Sequence, residues 1–214
     1  MKPSHRTMII SLLFIVTVLG SAVFYSALPD QMASHWNIAG EVDDYSPKII
    51  GVLIGPLMLL ILMLFMTLIP HIDPLSENIA HFRLYYDAFW VALSAFVVYL
   101  HGLMLAWNLG SHFYMGRALL PAIAALWYFI GILLKHSEPN WFVGIRTPWT
   151  LSDDRVWLDT HRIGGTLFKL SAGLMLVSTL RPTYGFYVVL ASAIGISLFL
   201  VVYSYFAYRK LHVK

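Results

Sequence analysis

The side chains able to do chemistry are few and sit at particular points of the chain. There are nine histidines, eleven aspartates and glutamates, and no cysteine. Disulfides, thiolate metal sites and a cysteine nucleophile are therefore excluded. His71, His81, His136 and His161 fall on one side of the topology derived below, with Asp73 and Glu77 nearby. Imidazole and carboxylate suit zinc or a similar ion. No pair has a strong ligand spacing such as HExxH, so solvated or headgroup-facing histidines are expected, with no metal and no other cofactor. His101 lies inside an apolar block, where an ionisable group is a functional candidate by default. A neutral histidine bonded to a neighbouring helix is the preferred reading, and Asn108 near the end of the same block calls for no special account. No Gly-rich phosphate loop is present, spacing offers no nucleophile–base pair, and the chain reads as a non-enzyme.

The densest chemistry is the run NWFVGIRTPWT, Asn140 to Thr150. Arg146 can grip a phosphate or carboxylate with two parallel hydrogen bonds. Gly144 permits a turn that a side chain would obstruct. Thr147 precedes Pro148 and is pushed toward extended backbone. Trp141 and Trp149 suit the headgroup level of a bilayer. Ser152 to Arg162 reads as a short interfacial helix, with Ser152 as N-cap and Asp153 and Asp154 in the first turn. Val156, Trp157, Thr160 and Ile163 share one face. Arg155–Asp159 and Asp159–Arg162 are helical pairs. The segment is either structural, anchoring and sealing a bundle, or a recognition surface.

A second run, LPDQMASHWNIAGEVDDYSPK, is acidic through Asp30, Glu41, Asp43 and Asp44. His35 and Trp36 add an aromatic pair, and Asn37 to Gly40 reads as a turn. It is either a solvated turn with a headgroup tryptophan or a site for a cationic or amphipathic arrival.

The elements that must position these runs are membrane helices. Of 214 residues, 59% are hydrophobic and 12% charged, against about 25% charged in soluble domains. Six blocks reach the roughly 17 to 25 residues that a spanning helix needs: 8–28, 49–69, 88–109, 118–134, 164–180 and 184–206. They do not alternate as barrel strands would. Lys2, Arg6 and the small patch Gly20-Ser21-Ala22 resemble a signal peptide, but the apolar run continues to Leu28 and reads as an uncleaved span. With the N-terminus inside, Lys2, Arg6, Arg83, Lys135, Arg146, Arg155, Arg162, Arg209, Lys210 and Lys214 are cytoplasmic, and Lys48, Arg117 and Arg181 are outside. Lys169 lies within the fifth span and can snorkel to the inner face. This bias places both termini and the segment Lys135–Ile163 inside, and Leu28–Lys48 outside. The middle of every span lacks Asp and Glu, which disfavours a coupled transporter, and there is no inverted repeat.

The two runs together resemble the SdpI family of bacterial membrane proteins. The first pattern is carried by Leu28, Pro29, His35, Trp36, Gly40, Asp43 and Lys48. The second is carried by Asn140, Gly144, Ile145, Arg146, Thr147, Pro148, Trp149, Thr150, Leu151 and Trp157. The resemblance covers nearly the whole chain. A departure is Ala33, where the family often has proline. The fold implied is a single all-α bundle of six transmembrane helices. Residues 1–70 form an N-terminal module of two spans and the outer loop, and residues 71–214 form a four-span module with the cytoplasmic loop. The function implied is immunity against a secreted peptide toxin, with sensing by holding a DNA-binding repressor at the membrane. The partners are then the lipid bilayer, the toxin outside and the repressor inside, with no direct contact to nucleic acid. His35, Trp36, Gly40 and Asp43 would face outward. Asn140, Gly144, Arg146, Thr147, Pro148, Trp149, Thr150 and Trp157 would face inward. The alternatives are a carrier for lipid or a small ligand, with Arg146 holding an anionic headgroup, and a metal-dependent membrane enzyme using the inner histidines.

Overall fold

The computed structural model describes residues 3–212; Lys2 and Lys214, which enter the charge bias, lie outside that range. Helix α1 (Pro3–Phe24) is followed by a short 3-10 turn, Tyr25–Ala27. A two-stranded antiparallel hairpin follows, β1 (Gln31–Trp36) and β2 (Val42–Pro47). Then come α2 (Lys48–Ile72), α3 (Ser76–His81), α4 (Arg83–Asn108) and α5 (Met115–His136). The chain ends with α6 (Pro148–Ser152), α7 (Asp154–Ser178) and α8 (Pro182–His212). The architecture is an all-α bundle.

Five helices are long and apolar enough to cross a membrane, at His5–Ala27, Lys48–Ile72, Arg83–Asn108, Met115–His136 and Pro182–His212. Their outward faces carry large exposed side chains such as Leu12, Val16, Leu57, Leu64 and Val202, a surface that fits lipid rather than water. Helix α7 also has 25 residues, but Asp154, Arg155, Asp159 and Arg162 crowd its first turns. The separate interfacial helix expected over Ser152–Arg162 is thus corrected: Ser152 ends α6, and residues 154–162 are the first part of one continuous helix whose second part is the fifth apolar block. The chain changes composition there without changing conformation, because backbone hydrogen bonds continue whatever the side chains meet.

The expected outer turn is also more ordered than its composition suggests. β1 and β2 pair Met32 with Ser46, Ala33 with Tyr45 and Trp36 with Val42, with irregular register around His35. The turn at Asn37–Gly40 is closed by Asn37, whose N–H donates to the Glu41 carbonyl at 2.8 Å and whose Oδ1 accepts from the Ala39 N–H at 2.9 Å. Gly40 takes φ +80°, a left-handed conformation that favours glycine. At the open end Lys48 Nζ meets Asp30 at 3.2 Å.

The core lies in two main clusters. Ile10, Met66, Ile69, Ile79, Phe82, Tyr86, Trp90 and Leu133 pack at one end of the bundle. Leu28, Met32, Val52, Met104 and Leu105 pack under the hairpin. Arg6 on α1 and Arg83 both bond the fully buried Asp87 on α4. Helices α5 and α7 touch backbone to backbone: a Cβ on Gly131 would lie 2.7 Å from the Gly165 carbonyl, and one on Gly165 2.6 Å from that of Gly131.

Candidate functional site

The connection from α5 to α7 holds the second run. Asn140 is its organiser. Its amide is fully buried, and Nδ2 donates to the carbonyls of Glu138 and Val143, both at 2.8 Å. Its Oδ1 accepts from the N–H groups of Phe142 at 3.0 Å and Val143 at 2.6 Å. One side chain thereby satisfies four backbone groups that no helix or sheet serves. The segment is tied to the α2–α3 corner, where Asp73 accepts from the Trp141 N–H at 3.0 Å and Asn78 donates to the Pro139 carbonyl at 2.7 Å.

Gly144 has φ +128°. A Cβ there would lie 2.4 Å from His161 Nε2, so both conformation and space demand glycine. The bare Cα lets the Ile145 N–H reach His161 Nε2 at 2.9 Å. Since Nε2 accepts, the ring proton sits on Nδ1, which donates to the Trp157 carbonyl at 2.8 Å. Both ring nitrogens are then used by a neutral imidazole. The ring also stacks on Trp157 at 3.9 Å. Burial pushes the His161 pKa down to about 4. This histidine lies outside the five candidate spans.

Thr147 is extended before Pro148, as expected, and caps α6. Its Oγ1 accepts from the Thr150 N–H at 3.2 Å while its own N–H donates to Thr150 Oγ1 at 2.9 Å, a reciprocal box with Pro148 in the first turn. Thr150 also donates to the Ile145 carbonyl at 2.7 Å, and the Thr147 and Ser204 hydroxyls lie 3.0 Å apart, tying the loop to α8. Trp149 stands edge-on to Tyr205 of α8 at 5.2 Å. Trp157 is fully buried, and its Nε1 donates to the Ser137 carbonyl at 2.9 Å.

The expected set is therefore brought together, but most of it faces inward. Trp141, Phe142, Arg146 and Pro148 are the exposed part of the run. Arg146 Nη1 donates to the Trp141 carbonyl, which holds the guanidinium against the aromatic pair. Beneath them a cleft of about 480 Å³ is lined by Phe89, Trp90, Leu133, Leu200 and the loop from Phe142 to Thr147. Two local readings are corrected. Asp153, not Ser152, caps α7, accepting from the Arg155 N–H at 2.8 Å. Arg155 pairs with Asp153 at 2.9 Å instead of with Asp159, which pairs with Arg162 at 3.3 Å. Arg155, joined by His212 at 2.8 Å, holds the Asp153 carboxyl well below the usual carboxylate range.

His35, Trp36, Gly40 and Asp43 form a separate site at the opposite end of the bundle. Helix α4 separates the two ends and has 26 residues, about 39 Å at 1.5 Å per residue. His35 and Asp43 bond each other at 2.6 Å and are both exposed. Trp36 is half-buried, edge-on to Trp107 at 5.7 Å. Asn108, whose place in the sequence suggests no role, anchors the hairpin: it accepts from the Ala33 N–H at 2.8 Å and donates to the Ala33 carbonyl at 3.0 Å, as a neighbouring strand would. That contact needs an N–H at position 33, which Ala33 has and proline lacks.

Three further histidines have separate partners. His71 bonds the Thr67 carbonyl, His81 bonds Glu138 at 2.7 Å, and His136 bonds the Ile132 carbonyl and stacks on Tyr85. Lys169 lies over the Tyr128 ring. His101 bonds Ser21 of α1 at 2.8 Å, the inter-helix partner expected of it. Asp73, Asn78 and His161 organise the loop without announcing it in the sequence. Asp73 is a polar residue ahead of a helix start, Asn78 lies inside α3, and His161 has the i,i+4 spacing from Trp157.

Comparison with known proteins finds two matched stretches. Residues 137–204 match the SdpI/YfhL protein family, and residues 12–60 match a domain of unknown function, DUF1648. The immunity protein SdpI of Bacillus subtilis (strain 168) is 31% identical over 85 residues, which cover 38% of this chain and 40% of that protein. No solved structure matches. The chain therefore carries an SdpI/YfhL segment behind a DUF1648 segment, and is an SdpI-like multi-pass protein of the cell membrane.

Proposed function

We propose that the protein confers immunity against a secreted peptide toxin and reports the toxin by holding a transcriptional repressor at the membrane. In this reading both termini are cytoplasmic, the hairpin meets the toxin outside, and the loop from Ser137 to Thr147 meets the repressor inside. The observation that carries it is the sorting of the loop: Asn140, Gly144, Thr147, Thr150 and Trp157 fix the backbone, and Trp141, Phe142 and Arg146 are left on display. An exposed aromatic pair with a positioned guanidinium is the composition of a protein-binding hot spot. The hairpin offers Glu41, Asp43 and Asp44 to a cationic partner. α7 supplies the sixth span, since Leu170, Leu174 and Val177 on its second half are exposed, each above 60%.

Sidedness is tested directly, because the chain has no cysteine. In intact cells, Asp44→Cys is expected to react with an impermeant maleimide and Ser152→Cys is not; the reverse pattern overturns the assignment of roles. Arg146→Ala is expected to insert normally and to lose protection against toxin-producing cells, and full protection overturns the role of Arg146. A second reading rests on the cleft beneath Arg146, whose apolar walls and single cation suit an anionic lipid. Anionic lipid retained by purified protein and lost in Arg146→Ala favours that reading.

A further inference from the structure

The seam between α5 and α7 carries two lysines that the loop does not use. Gly131 and Gly165 bring the two backbones together, and each leaves room for a lysine stem from the other helix. A Cβ on Gly165 would lie 2.6 Å from Cγ of Lys135 and 3.3 Å from its Cε. A Cβ on Gly131 would lie 2.8 Å from Cγ of Lys169. Both stems therefore lie across the glycine contact. The Lys135 ammonium, one bond beyond Cε, is held beside Gly165.

A lysine near the end of a span can extend its ammonium toward water. Lys169 instead places Nζ over the Tyr128 ring, 5.4 Å from the centroid. Tyr128 is an exposed residue of the candidate span Met115–His136. It precedes Lys135 by two helical turns, about 10 Å at 1.5 Å per residue. The ammonium is thus held away from the charged end of the bundle, on a face that also exposes Leu170. Neither lysine has a carboxylate partner among the described residues. The acids nearest to them in sequence are engaged elsewhere: Glu138 pairs with His81 and Asp159 with Arg162. The tyrosine ring offsets part of the cost of one cation. Two like charges on one apolar seam still lack a counter-ion.

We propose that this face binds an anionic phospholipid, whose phosphate accepts from the ammonium groups of Lys135 and Lys169. A free anion would have to enter the surroundings of Tyr128 and Leu170 alone, at a high desolvation cost. A phospholipid arrives with acyl chains suited to them. The surface beyond the lysines is open to such a chain: a Cβ on Gly173 would meet nothing within 4 Å, and Ala125 is exposed. Ala125, Tyr128 and Lys135 share one face of α5, as Lys169 and Gly173 share one of α7. Net negative charge is selected because a zwitterionic headgroup brings its own cation to the phosphate. The site is separate from the cleft beneath Arg146 and does not depend on the immunity reading.

The test uses the full chain in nanodiscs of equal parts phosphatidylglycerol and phosphatidylcholine, with the lipid retained by the released protein counted by native mass spectrometry. Phosphatidylglycerol is expected to be retained about ten-fold over phosphatidylcholine. Lys135→Gln with Lys169→Gln should bring the two lipids to equal retention. Lys135→Arg with Lys169→Arg, which keeps both charges, should preserve the preference and shows that the loss is not one of folding. Equal retention in the unaltered protein overturns the proposal, as does a preference that survives the double glutamine change. A preference lost in Arg146→Ala and kept in the glutamine variant would place the lipid in the loop's cleft and overturns it too.

Discussion

The hairpin and the α5–α7 loop solve the same problem, presenting side chains at one end of a helical bundle, in opposite ways. The hairpin satisfies its backbone through strand pairing, so its side chains are free to be charged and exposed. It is tethered to the bundle through a few contacts, chiefly Asn108, Trp107 and Tyr114, whose hydroxyl donates to the Ile38 carbonyl at 3.2 Å. The loop has no ladder. Its backbone groups are met by buried side chains, Asn140, Thr147, Thr150, His161 and Asp73. Most of its conspicuous residues therefore serve architecture, and only Trp141, Phe142, Arg146 and Pro148 remain exposed. A long specific motif need not be a long contact surface.

The comparison breaks most severely at Asn140. Asn140→Ala removes four hydrogen bonds and leaves buried backbone groups unmet, a loss of about 4 kcal/mol at roughly 1 kcal/mol each. The expected readout is a lowered melting temperature in detergent with early proteolysis between Ser137 and Thr147, while the hairpin keeps its protection. An intact loop would mean that the framework lies elsewhere.

Acid should separate the two regions next. His161 is neutral in the folded loop with a pKa lowered to about 4, against about 6.5 unfolded. The unfolded form binds more protons between those values, so the stabilisation is complete above about pH 6.5 and is lost as pH falls toward 4. The loss is on the order of 3 kcal/mol at about 1.4 kcal/mol per pH unit. Hydrogen exchange at pH 7 and pH 4.5 should show the loop opening more than the hairpin. Exchange in the loop that does not change with pH contradicts the neutral His161 bridge.

Ala33→Pro sharpens the comparison from the other side. It deletes the N–H that Asn108 accepts, for about 1 to 2 kcal/mol, and should loosen the hairpin while leaving the loop unchanged by exchange. The smallest effect is expected at the exposed His35–Asp43 pair. Asp43→Asn should cost below about 1 kcal/mol and leave melting within error, yet reduce protection of toxin-challenged cells. Unaltered protection would remove the pair from the recognition surface.

The helices were legible because apolar runs of spanning length fit a bilayer and little else, and five of the blocks lie in helices long and apolar enough to cross a membrane. The hairpin was not, because the register irregularity at His35 disrupts the alternation that would announce a strand, and β2 is rich in Asp, Ser and Pro. Asp87 escaped notice because it stands one residue before the apolar block, where a carboxylate looks solvated; Arg6, distant in sequence, makes it buried. At the loop, the set of residues could be read from types and spacing. Which of them turn inward could not, since that depends on α2, α3 and α8 closing around them.

The seam between α5 and α7 has a mechanical consequence. With Gly131 and Gly165 pressed carbonyl to Cα, neither helix can slide past the other without steric collision, and the two behave as one rigid plank. Any tilt of α5 must then carry α7 with it.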